Sequence, residues 1–316
     1  MEPNLLLARQ TIPSVPQPNG YHSHDFNLQP KSLNPISRWK LQALNLGGIA
    51  YCMLYTLLSF IVVIKVTLPD VYASDENILF QRQCLAICLV SIMVANYAFV
   101  LIKSRDSIVG PSTASLPLFD PQLHQWKYCD TCRLHTPPRA KHCPICDHCV
   151  LKRDHHCFFA GCCVGFHNQR YFTVFCFYGS LSAIYSIYAT GAFLQEHYAS
   201  FFSSECYAYL LPWVFLRWLT GSVDAGTVGL VFHCYMSCMT FAACVYFFAW
   251  QCVLVWTGQS MYEFLKGIRL YVQPLPENLK SVFGSAWFLN FLIPCPWMKN
   301  KGNGIDWILS HDGKDK

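Results

Sequence analysis

The sequence is poor in charged residues: Asp, Glu, Lys and Arg together make up only 13% of its 316 positions. Because soluble domains usually carry about 25% charged residues, this composition disfavours an ordinary soluble globule. The 23 basic residues barely outnumber the 18 acidic ones, so net charge alone indicates neither nucleic acid nor an acidic partner. Apolar side chains instead reach 53% of the chain. This favours a membrane protein, provided that the apolar residues occur in runs of about 20.

Residues 1–40 contain no basic stretch that leads into an apolar core, so we expect no cleaved signal peptide. This segment holds six Pro together with many Asn, Gln and Ser. Such a composition cannot bury enough apolar surface to fold. We therefore predict a disordered tail over 1–40.

Four long apolar runs predict an α-helical integral membrane protein. They cover residues 41–68, 84–102, 171–194 and 226–256. At about 1.5 Å per residue, each run is long enough for a hydrocarbon core of about 30 Å. The apolar segment 207–218 is too short for an easy crossing. We interpret it as interfacial or re-entrant, and the alternative is a fifth span.

Lys and Arg concentrate in three segments, with 4 in 1–40, 9 in 103–170 and 7 in 257–316, against 2 in 65–83 and 1 in 195–225. The positive-inside rule places the three rich segments in the cytosol. Four spans satisfy that arrangement and five do not. The predicted organisation is a cytosolic tail (1–40), helices one and two (41–102), a cytosolic Cys-rich domain (103–170), helices three and four with a lumenal or re-entrant segment (171–256), and a cytosolic tail (257–316).

The Cys-rich segment holds eight of the 18 cysteines, interleaved with histidines. A dense Cys/His cluster indicates metal binding, whereas a disulfide framework predicts spread pairs. The candidate ligands are Cys129, Cys132, Cys143, Cys146, Cys149, Cys157, Cys162, Cys163, His135, His142, His148, His155 and His156. Two closed zinc sites need eight ligands, so side chains are left over for chemistry, although spacing does not decide which eight bind.

Three non-enzymatic interpretations compete for this segment. A purely structural zinc module and a RING-like finger that recruits partners both explain the paired cysteines. Nucleic-acid binding is disfavoured, because the loop lacks aromatics on a strand sheet and is tethered between membrane spans. A transporter is also disfavoured, since the spans carry almost no charged residues.

The run Asp154-His155-His156-Cys157 places a carboxylate, imidazoles and a thiol side by side. A thiolate is the nucleophilic form of Cys, and an imidazole can take the thiol proton. A carboxylate can fix the tautomer of that imidazole. The run therefore indicates a cysteine nucleophile with a base and an orienting group.

The segment from Cys129 to Phe172 resembles the DHHC-type protein S-acyltransferases, also called palmitoyltransferases. The shared positions are Cys129, Cys132, Pro138, Arg139, His142, Cys143, Cys146, Cys149, Asp154, His155, His156, Cys157, Cys163, Gly165, Asn168 and Phe172. The arrangement of two spans, a Cys-rich loop and two further spans also fits this family.

The resemblance implies roles for these residues. One structural zinc is held by Cys129, Cys132, His142 and Cys149, and a second by Cys143, Cys146, His156 and Cys163. Cys157 takes the acyl group from a long-chain acyl-CoA, with His155 as general base and Asp154 orienting it. The acyl group then passes to a cytosolic Cys of a membrane-associated substrate protein, in a ping-pong reaction. The family also implies an endomembrane location, in the ER or Golgi.

Two further positions are implied to contact the acyl-CoA. Ser182 falls where the family sets the accepted chain length, and a small side chain there leaves depth for a longer chain. Arg139 is a candidate for the CoA phosphates. The alternative for Arg139 is a structural hydrogen bond within the zinc loop.

The chain departs from the family pattern around the nucleophile. Phe158 and Phe159 replace a Pro-Trp pair, Gly161 and Cys162 replace two Asn, and a Thr-Thr-x-Glu element is changed to the run 260–263, which keeps Glu263. Near the C-terminus, Asn278 with the run 282–284 resembles a truncated form of the family's aromatic-and-Asn motif. These changes motivate an alternative function, a catalytically weak or inactive membrane adaptor stabilised by zinc.

Overall fold

The computed structural model describes residues 35–111 and 126–309. Its helices are α1 (Pro35–Ile61), α2 (Leu68–Val71), α3 (Glu76–Ser104), α4 (Gln169–His197), α5 (Leu211–Leu219), α6 (Ala225–Thr257), α7 (Met261–Leu265), α8 (Leu275–Phe283) and α9 (Trp287–Leu292). A π-helical turn, Val62–Thr67, joins α1 to α2. Most of the predicted tail 1–40 lies outside the described residues, and α1 begins before the predicted boundary at residue 41.

Four helices of the described residues are long and apolar enough to cross a membrane. They cover Trp39–Val71, Glu76–Ser107, Gln169–His197 and Ala225–Thr257. The predicted four-helix membrane fold, with a Cys-rich region between the second and third helices, is therefore confirmed. Each helix extends beyond its apolar run, and capping side chains fix the start of two of them, α3 and α6. The Asp75 carboxylate, for example, accepts from the N–H groups of Asn77 and Ile78 at 3.0 Å, where α3 begins.

The short apolar segment between α4 and α6 does not form a fifth span. It contains the nine-residue helix α5, about 14 Å long, which is less than half of a hydrocarbon core. Val214 is fully buried against Leu194 and Val231. Trp213 and Trp218 of the same helix are exposed. This segment therefore lies against one end of the helix bundle.

The Cys-rich region folds into three antiparallel hairpins. They pair β1 (Lys127–Cys129) with β2 (Leu134–Thr136), β3 (Lys141–Cys143) with β4 (His148–Val150), and β5 (His155–Cys157) with β6 (Cys162–Val164). The turns reverse through a residue with positive φ, namely Arg133, Asp147 and Gly161. Isolated two-stranded hairpins are marginally stable, so these three need additional cross-links.

Helices α7 to α9 return to the bundle and pack beside the Cys-rich region. The Asn278 side-chain amide on α8 donates to the carbonyls of Trp256 and Gln273 at 3.2 and 2.8 Å. Val282 and Phe283 are buried among apolar residues of α3, α4 and α6. The C-terminal segment thus buttresses the end of the bundle that carries the hairpins.

Candidate active site and metal centres

Two groups of four Cys and His side chains have their ligand atoms within 4.8 Å of one another. The first contains Cys129, Cys132, His142 and Cys149, and the second contains Cys143, Cys146, His156 and Cys163. These are the two sets that the family resemblance implied. All eight residues are in place, and none of the six cysteines forms a disulfide.

The donor sets fit zinc in chemistry and in spacing. Three thiols and one imidazole form a typical closed zinc site. A Zn–S distance of about 2.3 Å gives a tetrahedron with edges of about 3.8 Å. The Cys132 and Cys149 sulfurs are 3.7 Å apart in the first group, as are those of Cys146 and Cys163 in the second. Both groups could therefore hold a zinc ion.

The two metal groups link the three hairpins in series. The first group joins β1–β2 to β3–β4, and the second joins β3–β4 to β5–β6. In both groups the His and the last Cys face each other across one hairpin: His142 pairs with Cys149, and His156 pairs with Cys163. Bound ions would supply the cross-links that the small hairpins lack.

Two residues that sequence reasoning missed support the second group. His156 turns Nδ1 toward the Cys146 sulfur at 3.2 Å, and its Nε2 lies 2.9 Å from the Asn45 side-chain oxygen on α1. An outer partner of this kind fixes the tautomer of a metal-binding His. Arg153 donates to the sulfurs of Cys163 and Cys143 at 3.5 and 3.7 Å. Neither residue had a sequence signal beyond its proximity to an apolar run or a motif.

Asp154, His155 and Cys157 converge at the end of the hairpin β5–β6. His155 Nδ1 lies 2.9 Å from Asp154 Oδ2. The other ring nitrogen, Nε2, is buried and makes no hydrogen bond of standard geometry with the described residues. Cys157 is 7% exposed and lies on the same strand two residues away. The Nε2 atom is thus available for a hydrogen bond with the Cys157 thiol. Catalytic hydrogen bonds of this kind often shorten only when substrate binds.

The electrostatics of this trio favour a protonated imidazole. Burial lowers the pKa of His155, but the hydrogen bond with Asp154 and the charges of Asp154 and Cys157 outweigh this effect and raise the pKa to about 9. Burial alone would raise the pKa of Asp154. The contacts with His155 and with two further donors outweigh burial and hold this pKa below its usual value. Because its pKa is raised, His155 is a stronger base than a free histidine and holds a transferred proton more firmly.

The two further donors come from outside the hairpin. The backbone N–H of Met261 donates to Asp154 Oδ1 at 2.7 Å, and the Gln251 side-chain amide donates to Oδ2 at 2.7 Å. Ser260 caps α7 in a reciprocal pair with Glu263, which presents the Met261 N–H to Asp154. The altered run 260–263 therefore still contacts the predicted site. Gln251 was missed, and its polarity within an apolar helix was the available signal.

A cavity of about 520 Å³ opens beside Cys157. It lies between α1, α3, α4 and α6, and residues of α4 from Phe172 to Ser186 line its length. Fourteen residues of helix advance about 21 Å. Ser182 lines this cavity, and its hydroxyl is buried without a hydrogen-bond partner among the described residues. The volume is within the roughly 300–1,000 Å³ typical of ligand pockets.

Arg139 does not face this cavity. Its guanidinium donates to both carboxylate oxygens of Glu263 at 2.8 and 2.6 Å and to the Gly258 carbonyl at 2.8 Å. The side chains of Arg139 and Glu263 are 2% and 7% exposed. The Trp307 ring lies 4.2 Å from the guanidinium. This geometry favours a structural role for Arg139, but its partners lie in the segment that follows α6 and not within the zinc loop. The CoA contact stays a prediction.

The residues that replace the family's usual ones pack around the nucleophile. The Phe158 ring contacts His156 edge-on at 5.1 Å, and Phe159 lines the cavity beside Tyr51 of α1. Cys162 pairs with Cys157 across β5–β6 and belongs to neither metal group. Burial raises the pKa of Cys162 to about 11. Phe159 and Cys162 thus belong to the apolar surroundings of Cys157, whereas Phe158 packs on a residue of the second metal group.

Comparison with known proteins identifies the family. The profile described as DHHC palmitoyltransferase matches residues 122–268. Mouse "Palmitoyltransferase ZDHHC22" is 29% identical over 260 residues, covering 80% of this chain and 94% of the mouse protein. Mouse "Probable palmitoyltransferase ZDHHC24" is 33% identical over 235 residues, covering 70% of this chain and 80% of that protein. "Palmitoyltransferase erf2" of Schizosaccharomyces pombe is 34% identical over 201 residues, covering 61% of this chain and 49% of that protein. This chain belongs to the DHHC palmitoyltransferase family of membrane protein S-acyltransferases.

Proposed function

We propose that the protein moves a long-chain acyl group, palmitoyl foremost, from acyl-CoA to cysteines of membrane-associated proteins through an acyl-Cys157 thioester. The observation that carries this proposal is that Cys157, the thiol of the Asp154–His155–Cys157 trio, lines an apolar cavity about 21 Å long. One leaflet of the bilayer core, filled by chains of this kind, is about 15 Å deep.

The first half-reaction acylates the enzyme. His155 takes the proton of the Cys157 thiol, and the sulfur attacks the thioester carbonyl of the acyl-CoA. The bond between the carbonyl carbon and the CoA sulfur breaks, and CoA leaves as a thiol with the proton from His155. Asp154 accepts from His155 Nδ1 throughout, which stabilises the imidazolium.

The second half-reaction returns the enzyme to its starting state. His155 takes the proton of a substrate-protein Cys, whose sulfur attacks the acyl-Cys157 carbonyl. The Cys157–acyl bond breaks, and the proton passes back to Cys157. The cavity favours binding of the acyl chain, since burying an alkyl chain is favourable by about 0.8 kcal/mol per CH₂.

The two metal groups serve as a frame in this proposal. Zinc held by the two Cys₃His sets would fix the three hairpins relative to one another. The strand β5 carries His156 of the second set between His155 and Cys157. The frame therefore sets the position of the base and the nucleophile and takes no part in the transfer itself.

We also propose that the Cys-rich region and both tails face the cytosol of an endomembrane, the ER or Golgi. The distribution of Lys and Arg supports this orientation. The Arg139–Glu263 and Asp154–Met261 contacts support it further, because they join the Cys-rich region to the C-terminal segment at one end of the bundle. Acyl-CoA and cytosolic cysteines would meet the trio from that side.

Acyl-enzyme formation tests the proposal. Purified wild type, Cys157→Ser and the matched control Cys162→Ser are incubated with alkyne-tagged palmitoyl-CoA, and zinc content is measured on each. We expect hydroxylamine-labile label on the wild type and on Cys162→Ser, and none on zinc-replete Cys157→Ser. If all three proteins hold zinc and none is labelled, the enzyme function is wrong and the adaptor alternative takes its place.

The depth of the cavity gives a second test, for Ser182. Ser182→Phe fills the cavity part of the way along α4, so we expect the preferred donor in a C14–C20 acyl-CoA competition series to become shorter. Ile184→Phe is the control, because Ile184 is on the same helix and exposed. An unchanged chain-length profile for Ser182→Phe would contradict the role assigned to this residue.

A further inference from the structure

A chain of buried polar side chains ends at Asp154. The Gln251 amide nitrogen donates to Asp154, the Gln169 amide nitrogen donates to the Gln251 oxygen at 3.0 Å, and Lys152 Nζ donates to the Gln169 oxygen at 3.1 Å. Asp154, Gln251, Gln169 and Lys152 are 6, 1, 3 and 3% exposed. Buried polar groups of this kind are costly unless each is paired, and here each is.

The hydrogen bonds of this series can run in only one self-consistent direction, from Lys152 toward Asp154. Asp154 as a carboxylate only accepts, so Gln251 must turn its NH₂ group toward it. The Gln251 oxygen then faces Gln169, which must donate with its own NH₂ group and leave its oxygen for Lys152. Burial lowers the pKa of Lys152 to about 7, but the amine donates in its charged and its neutral form alike. Both amides are thereby fixed, head to tail.

Gln251 also lies one helical turn beyond a second contact with the site. Phe247 on the same helix stacks on the His155 ring, with the centroids 6.4 Å apart and the planes at 9°. Phe247 lines the cavity as well. Helix α6 therefore contacts His155 through Phe247 and Asp154 through Gln251, on one face.

We infer that Gln251 is a positioning residue for acyl transfer, which sets the rotation of the Asp154 carboxylate and is itself oriented by Gln169 and Lys152. The inference rests on the proposed function. Asp154 Oδ2 receives both His155 Nδ1 and the Gln251 amide, while Met261 holds Oδ1. Without the Gln251 donor, the carboxylate is free to turn about the remaining contacts, and the His155 ring loses its fixed direction toward Cys157.

A purely structural role for Gln251 is the competing explanation, because its bond to Gln169 joins α6 to α4. Three substitutions separate the two roles. Gln251→Glu keeps the shape and the acceptor for Gln169, but it removes the donor and puts a second carboxylate beside Asp154. Gln251→Leu removes both polar ends. Gln251→His restores a ring N–H donor of similar reach.

The experiment measures the single-turnover rate constant of Cys157 acylation by palmitoyl-CoA, together with its KM, zinc content and Tm. We expect Gln251→Leu to slow acylation about 10- to 100-fold, the usual effect of removing an outer partner that orients a site. Gln251→Glu is expected to be slower still, and Gln251→His faster than either. KM and zinc content should stay near the wild-type values.

Two results would overturn the inference. The first is an acylation rate constant equal to that of the wild type in all three variants. The second is a fall in rate that matches the loss of folded, zinc-loaded protein, with Gln251→His no faster than Gln251→Leu. Wild type and Cys157→Ser are measured alongside. If the wild type forms no acyl-Cys157, the proposed function itself fails, whereas normal wild-type acylation with unaffected variants removes only the role of Gln251.

Discussion

The buried ion pair between Arg139 and Glu263 offers a direct test of what Arg139 does. We consider Arg139→Met, which keeps the length and bulk of the side chain and removes its charge. Glu263 then stays buried, 7% exposed, and among the described residues its carboxylate keeps the capping hydrogen bond from the Ser260 N–H. If Arg139 instead contacts the CoA phosphates, the same substitution weakens acyl-CoA binding and leaves the fold intact.

The structural hypothesis predicts a large loss of stability. Removing one member of a buried ion pair typically costs about 3–5 kcal/mol, because the other charge stays buried and unpaired. At about 2–4 °C per kcal/mol, the Tm is expected to fall by roughly 6–20 °C. The charge-free double variant Arg139→Met/Glu263→Gln is expected to regain part of this loss, since no unpaired charge remains.

The assay is thermal unfolding in detergent, followed by tryptophan fluorescence, on the wild type, both single variants and the double variant. The KM for palmitoyl-CoA is measured on the same samples below their unfolding temperatures. A Tm within about 2 °C of the wild type combined with a raised KM would refute the structural reasoning and favour the phosphate contact. Additive effects of the two single substitutions would also contradict the pairing.

Two further predictions concern the contacts of α1 with the hairpin β5–β6. A Cβ at Gly48 would clash with the Phe158 carbonyl oxygen, so Gly48→Ala is expected to displace the hairpin and slow Cys157 labelling. Gly47→Ala, where a Cβ meets nothing within 4 Å, is expected to label normally. Equal labelling would contradict this close approach. Asn45→Leu is expected to weaken zinc binding about 10- to 100-fold in a chelator competition, because His156 loses its outer acceptor. Asn45→Asp keeps an acceptor and should match the wild type, and equal zinc retention in all three would refute the role of Asn45.

The sequence predicted the fold class well because hydrophobic runs and Cys/His spacing are local patterns. The number of spans also followed from local composition, since residues 207–218 were too short to cross. Helix ends were harder to predict: α3 begins directly after its cap, Asp75, well before the apolar run that starts at residue 84. Hydropathy describes the membrane-embedded portion of a helix and not its capping groups.

The contacts that complete the candidate site were not predictable from local patterns. Asn45, Gln169 and Gln251 come from three helices separated by long stretches of sequence, and only the packing of α1, α4 and α6 brings them to the hairpins. Each is a single polar residue with no motif around it. Gln251 had the clearest signal, because an amide in an apolar helix needs a partner. Its partner, Asp154, could be identified only from the tertiary structure.

The hairpin β3–β4 donates half of its ligands to each metal group. Neither group can therefore be completed while this hairpin is out of place, and losing one ion removes a restraint on the other. We expect zinc to be acquired and lost as a pair rather than one ion at a time. When zinc is scarce, the population would then consist of molecules with two ions and molecules with none. A cell short of zinc would hold fewer active molecules, and each of these would have its normal rate.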